Sequence, residues 1–441
     1  MKIVIVGGGS NAWTPNIVKD MLLTPALADA EYMLYDTNLK QAQFIRKVIQ
    51  QTAKKLAIKV NVAATSNQAR AFDGGDYFII TISTGGFDAM AHDLAIPEDF
   101  GIYHTVGDTS GPGGWARTLR NFGPFVDLAE AINRYAPGAV VLNYTNPMAT
   151  LTDVLTRICT GPVVGLCHGL FENLRFLKDY YKLDSEEEIA VEYGGLNHFF
   201  WMTKIRARGI DIIADLEGKL KRQSLTNLLA AAHKDVMGFS SKREVATELF
   251  RLTGVLPYMG DRHTCEYFPW FITSKQNMRT YKIVRTTIQQ RRDGFSARQQ
   301  RLQTWLTAGI PDDFLQRSRE TAADIINAHS QGQVFVDVGN LPNTGQIGNL
   351  PGDAVVETAV RIDANGFAPI GLGDLPQAVV GFITPYAELN LQVIDACFAG
   401  DRRMALQALR ADPVCAQLNG AQVMDLGHRL IKAHKRFIKV F

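Results

Sequence analysis

Short apolar runs and helical stretches alternate along the first 165 residues. Lys2 to Val6 is a β-branched run and predicts a buried strand. Glu31 to Tyr35, Lys59 to Ala64 and Tyr77 to Ser83 predict three more, and Ala139 to Leu142 and Val163 to Leu166 a further two. A helix is expected from about Thr14-Pro15, with proline in its first turn. Leu39 to Leu56 and Phe122 to Tyr135 carry helical periodicity. Strands alternating with helices predict an α/β chain built on a Rossmann-type, doubly wound parallel sheet. Gly101 to Arg120 breaks the pattern. Its glycines predict a loop that approaches a ligand closely, with Arg117 and Arg120 at the start of the next helix, where either is a candidate for a substrate oxygen anion.

Past this half the pattern changes. A helix is predicted from Leu170 to Tyr181 and strands over Ala190 to Tyr193 and Phe199 to Ile205. The remainder mixes helices with a β-rich piece near Val334 to Ile362 and shows no repeat and no low-complexity linker. The expected division is a dinucleotide-binding domain over 1–165 and an α+β metal- and substrate-binding domain over 166–441.

Bulk properties narrow the class. A chain of 441 residues exceeds one simple core. Its 46% hydrophobic and 20% charged content is that of an ordinary globular protein. With 46 basic and 44 acidic residues there is no field to draw nucleic acid or an anionic membrane. The opening apolar run is too short for a signal peptide, and no run reaches the length of a membrane span. The cysteines at 159, 167, 265, 397 and 415 are odd in number and irregularly spaced, as expected of free thiols in a reducing cytoplasm.

The candidate chemistry starts at Gly7-Gly8-Gly9-Ser10-Asn11-Ala12, which fits the dinucleotide fingerprint G-x-G-x-x-A between a strand and a helix. Gly7 and Gly9 let the backbone approach a pyrophosphate, with Ser10 and Asn11 beside it. Asp36 ends the second strand, 27 residues past Gly9. A carboxylate there suits a ribose diol and repels a 2′-phosphate, favouring NAD over NADP. Ser83 falls near the nicotinamide ribose, and Asn143 and Asn146 follow a strand at its ligand-binding end. Asn146-Pro147 is a step at which either peptide isomer is available. A glycine turn in some other α/β protein is the competing reading.

Gly165-Leu166-Cys167-His168-Gly169 is answered by Gly195-Leu196-Asn197-His198, with His198 standing 31 residues after Cys167. Cys167 and His198 resemble a two-ligand metal site, although a lone Cys is usually a small hydrophobe and a lone His a satisfied core residue. Gly260-Asp261-Arg262-His263-Thr264-Cys265-Glu266-Tyr267 reads as a site loop, or as a helix start with Asp261 as its cap.

Together these segments, with Gly111-Pro112-Gly113-Gly114, Asn143-Tyr144-Thr145-Asn146-Pro147 and Asn349 to Glu357, resemble glycoside hydrolase family 4. The resemblance implies a fold like the lactate and malate dehydrogenases, NAD and a divalent metal, usually manganese, with Cys167 and His198 as the metal ligands. It implies a glycosidase outside the two-carboxylate rule. NAD takes hydride from sugar C3, a base removes the C2 proton, the C1 group leaves, water adds, and the hydride returns. The base is expected at Asp261, with Tyr258 and Tyr267 as alternatives. A free thiolate makes the site sensitive to oxidation.

His168, after the metal cysteine, matches members acting on unphosphorylated α-galactosides, α-glucosides and uronides, and is a candidate acid. Cys-His-Gly is the α-glucuronidase form, whereas Val106-Gly107-Asp108-Thr109 and Gly-Asp-Arg-His look like the α-galacturonidase branch. Both agree on a uronide without phosphate, for which Arg117, Arg262 and His263 are candidate cations, with Asn146 and Asn197 as further substrate contacts. Family members form dimers and tetramers, so a cytoplasmic homo-oligomer acting on a small glycoside is expected. An α-galactosidase or α-glucosidase, a hydroxy-acid dehydrogenase of the same fold and a non-catalytic NAD sensor are the alternatives. The sequence does not specify the anomer.

Overall fold

The computed structural model describes residues 1–228 and 242–441. Its strands are β1 (Lys2–Val6), β2 (Glu31–Tyr35), β3 (Asn61–Thr65), β4 (Tyr77–Ile80), β5 (Val140–Asn143), β6 (Val163–Gly165), β7 (Ile189–Leu196), β8 (Phe199–Ala207), β9 (Ile210–Asp211), β10 (Leu256–Pro257), β11 (Phe335–Pro342), β12 (Val355–Asp363) and β13 (Gly366–Pro369). The first six pair in parallel in the order β3-β2-β1-β4-β5-β6, the doubly wound order of a dinucleotide fold. Their interiors are apolar because helices cover both faces. Each lies within a few residues of its predicted span.

The sheet does not stop at residue 165. β11 pairs antiparallel with β6, and β12, β7, β8 and β10 continue it, all antiparallel. One row of paired residues crosses both halves: Val6, Ile80, Asn143, Gly165, Asn340, Glu357 and Gly195. Cys167 and Asn197 follow two members of that row in the chain. The α+β half is thus joined edge to edge with the parallel half, and the candidate residues gather around the join.

The stretch expected as a loop up to Arg120 is helical from Gly111, in the helix Gly111–Tyr135. Its glycines serve close packing: a Cβ on Gly114 would stand 2.6 Å from the Thr109 carbonyl oxygen. The C-terminal helices Gln377–Ala399, Arg402–Ala411 and Gly420–Ala433 pack back onto the first half and share its largest apolar core. Asn146-Pro147 is cis, and all five cysteines are free. Among the described residues no helix is long and apolar enough to cross a membrane.

Candidate active site

The glycine loop sits against the ends of β2 and β4. Gly7 has φ +89°, and a Cβ there would lie 2.7 Å from the Thr81 carbonyl oxygen, so glycine is required. The Gly9 amide donates to Asp36 Oδ2 at 2.9 Å, and the Asn38 amide to Oδ1 at 2.8 Å. Asp36 is therefore tied to the loop it was expected to work with. Ser10 Oγ accepts from the Trp13 amide at 3.3 Å, just before the helix Thr14–Leu22. The loop, the helix end and the carboxylate fit a dinucleotide with a free 2′-hydroxyl.

Three cofactor or substrate candidates serve differently from expectation. Asn11 gives its amide to Phe295 O and Gln299 Oε1 of the helix Ile288–Ala308. Asn143 is buried and bonded within its own turn and to Thr152. Arg120 is fully buried in a bidentate pair with Asp93, at 2.7 and 2.6 Å, so it is structural. Arg117 stays at the site. Its Nε donates to Asn146 O at 2.8 Å and Nη2 to Ser83 Oγ at 3.4 Å, while Nη1 and Asn146 Oδ1 are buried without partners among the described residues.

His198 occupies the two-residue turn between β7 and β8 with φ +60°, a left-handed conformation costing roughly 1 kcal/mol or more outside glycine. Its ring stacks on His263, with centroids 3.8 Å apart, and lies near-parallel to Tyr258 at 5.7 Å. Burial, then His263, holds its pKa well below the ordinary value, so the ring is neutral.

The Thr109 hydroxyl donates its one proton to Asp108 Oδ1 at 2.9 Å. At 3.1 Å from His198 Nδ1 it can then only accept, which places the ring proton on Nδ1 and leaves the Nε2 lone pair bare. Burial would raise Asp108, but His263, Arg117, Arg291 and His198 together hold it at about 2, so it remains an acceptor. The loop carrying Asp108 and Thr109 is itself held by buried Glu266. Its Oε1 accepts the amides of Thr105, Val106 and Gly107 at 2.6, 2.8 and 3.0 Å.

Burial, with Glu357 adding, pushes the Cys167 thiol to about 12, against bonds from the Gly169 and His168 amides and the Asn197 side chain. Such a thiol ionises only with a cation beside it. Asn197 gives its amide to Glu357 Oε2 at 3.0 Å, where Asn340 also donates at 3.0 Å. The same Asn197 side chain bonds the Cys167 thiol. Burial carries Glu357 up to about 7. No cluster of three or more His, Cys, Asp or Glu side chains forms a metal cage among the described residues. Cys167 and His198 Nε2 are two donors that could hold a divalent cation, with substrate hydroxyls or water completing its shell. That donor set fits a cation which trades its remaining ligands.

Asp261, the expected base, is tied to a neighbouring helix. Its two oxygens accept the Val245 and Ala246 amides at 3.1 and 3.0 Å, in the first turn of the helix Glu244–Thr253. Burial raises it to about 8, against the bonds from those two amides. It caps a helix, though not the one it begins.

Tyr258 instead lies between the two motifs, against Gly169 on one side and Gly260 on the other. Tyr267 is committed, its hydroxyl donating to Asn197 O at 2.8 Å. His168 Nε2 stands 3.1 Å from Glu320 Oε2, its ring beside those of Trp13 and Tyr144. Burial opposes its charge, yet Glu320 raises its pKa overall. Arg262 Nη1 donates to Thr286 Oγ1 at 2.9 Å, and His263 Nδ1 is 3.9 Å from Asp108 Oδ1.

The model for family 4 glycosyl hydrolases matches residues 2–182, and that for the family's C-terminal domain matches 193–415. The chain belongs to family 4 of the glycosyl hydrolases. An α-galacturonidase of Bacillus subtilis is 31% identical over 94% of this chain and 93% of its own. An α-galactosidase of the same organism is 29% identical over 98% of each. A 6-phospho-β-glucosidase of Thermotoga maritima, solved with manganese, NAD and glucose 6-phosphate, shares the fold over the whole of both chains, at TM-score 0.81 and 20% identity.

In this family 4 chain Glu320 and Arg291 build the site without any local sequence signal, whereas Thr109 and Glu266 lie in segments the sequence itself singles out. Glu357 closes the family segment Asn349 to Glu357, and Asn340 is a polar position inside an apolar strand. Their pairing across β11 and β12 is what gives them meaning.

Proposed function

We propose that this family 4 glycosidase hydrolyses an unphosphorylated α-glycoside of a uronic acid, using NAD and a divalent metal, manganese in the first instance. The observation carrying the reading is the Asp108–Thr109–His198 chain, which leaves His198 Nε2 free of it, one residue past the Asn197 whose side chain bonds the Cys167 thiol. The uronide assignment rests on cations around that carboxylate. Arg117 Nη1 and Arg291 Nε are buried without partners among the described residues, and both guanidinium groups act on Asp108. Planar guanidinium donors suit a substrate carboxylate. The relative that acts on galacturonides supports the same choice, and the α-galactosidase keeps a neutral sugar as the alternative.

When bound, the nicotinamide accepts and returns a hydride while the metal polarises the sugar hydroxyls. Asp36 holds the adenosine ribose, and the glycine loop receives the diphosphate. Tyr258, parallel to His198, takes the C2 proton as its phenolate, having first released its own proton to solvent. His168, oriented by Glu320, gives a proton to the leaving oxygen. His263 and Arg117 stay beside Asp108 and orient the substrate carboxylate with Arg262.

The test is a panel of aryl α-galacturonide, α-glucuronide, α-galactoside and α-glucoside in heavy water with NAD, manganese and a reductant. Aglycone release on a uronide, deuterium at C2 and no build-up of NADH are expected. Faster turnover of the neutral galactoside defeats the substrate reading, and release without deuterium defeats the mechanism. Stoichiometric NADH would identify a dehydrogenase.

A further inference from the structure

The glycine loop lacks a cation: from Gly7 to Trp13 there is no lysine or arginine. Backbone amides alone would face two phosphate charges. A cation reaches this loop from a distant part of the chain. The helix Ile288–Ala308 buries only Leu302 and Trp305, both in its last two turns. Its earlier turns are held by polar contacts with the walls of the dinucleotide cleft. Asn11 Nδ2 donates to Phe295 O at 3.1 Å and Gln299 Oε1 at 3.2 Å, and Arg298 Nε donates to Asn11 Oδ1 at 3.4 Å. Gln41, beyond β2, donates to Gln299 Oε1 at 3.0 Å. Phe295 stacks edge-on against Phe87 at 6.1 Å, and Arg292 pairs with Asp88 at 2.6 Å, both after β4. Phe295, Arg298 and Gln299 share one helical face. That face spans the ends of β1, β2 and β4, the edge where a dinucleotide lies in this fold.

We infer that Arg298 meets the diphosphate of the dinucleotide, as the cation the glycine loop lacks, and that its helix forms the outer wall of the cleft. The inference rests on the NAD reading above. Arg298 spends its Nε on Asn11, and its two terminal nitrogens make no hydrogen bond or ion pair among the described residues. Burial, then Arg301, lowers its pKa, so an anion arriving there relieves both penalties. Asn11 acts as the positioning residue that aims the guanidinium.

Isothermal titration of the full chain with NAD, ADP-ribose and adenosine tests this in wild type, Arg298→Ala and Arg298→Lys. The alanine variant should bind NAD and ADP-ribose about tenfold more weakly, as for loss of one charge-assisted contact, while adenosine binding is unchanged. Lysine should recover part of the loss, and added salt should narrow the gap. A brace for the helix alone would weaken all three ligands alike, and that result overturns the assignment. So does an alanine variant that binds NAD like wild type. Wild type that binds none of the three overturns the dinucleotide reading itself, and this inference with it.

Discussion

The Thr109 hydroxyl stands 3.1 Å from Nδ1 of His198 and decides which ring nitrogen looks outward. Its proton is already given to Asp108, so the imidazole must donate to it. Removing that acceptor frees the ring to change tautomer or turn. Thr109→Val is expected to weaken manganese binding by roughly 10- to 100-fold, the usual loss when the partner of a metal-binding histidine is removed. Thr109→Ser should keep wild-type affinity. Titration of the metal, followed by calorimetry or by the paramagnetic signal of free manganese, reads the result. Equal affinity in the valine variant would remove Thr109 from the site.

Parts of this arrangement are legible in the sequence. Each parallel strand inside the sheet is a short apolar run bounded by glycine or a polar residue, which is how a strand buried on both faces must look, while β3 at the edge is half-exposed. The Gly7 loop follows the first of them, and Asp36 ends the second. Other parts depend on tertiary pairing alone. Asp261 looks like a site residue because polar neighbours surround it, yet its partners are the amides of Val245 and Ala246 on another helix. The Gly111 segment looks like a loop because four small or rigid residues open it, yet closeness to Thr109 is what demands glycine there. Arg298 is separated by 287 residues from Asn11, and no local pattern announces their meeting.

Tyr258 and Asp261 can be separated by what each loses. Tyr258→Phe removes a hydroxyl beside His198 and little packing. We expect kcat to fall by about 100-fold or more, as for loss of a general base, with deuterium uptake at C2 lost and the melting temperature unchanged. Asp261→Ala leaves the Val245 and Ala246 amides without their acceptors. That should cost about 1–3 kcal/mol of stability and lower kcat only slightly. An alanine variant that melts like wild type but is inactive would return the base to Asp261.

In the proposed reading Asp36 sets the choice of dinucleotide. Its Oδ2 accepts the Gly9 amide, at the strand end where this fold binds an adenosine ribose. Asp36→Ala should raise the Kd for NAD about tenfold through loss of a charged hydrogen bond, and lower that for NADP because the repulsion of its 2′-phosphate is gone. Fluorescence titration with both dinucleotides measures this. Parallel weakening of the two would show that Asp36 only supports the loop.

Asp412 makes stability depend on pH in a defined direction. It is buried, and its Oδ1 accepts the Val414 amide at 2.9 Å. Burial raises it from the ordinary 3.8 to about 6, opposed by that amide and by His104. The folded chain therefore holds more protons than the unfolded chain between those values. Its contribution is fully present below the unfolded pKa and is lost as pH rises through the folded one. At neutral pH the charged, buried carboxylate costs roughly 2–3 kcal/mol. Asp412→Asn keeps an oxygen for the Val414 amide and carries no charge. The variant should be stabilised relative to wild type near neutral pH, with the gain shrinking towards about pH 4. Thermal melts of both proteins across that range provide the measurement. A gain that is constant with pH, or a loss at neutral pH, would mean that the carboxylate is not strained by burial.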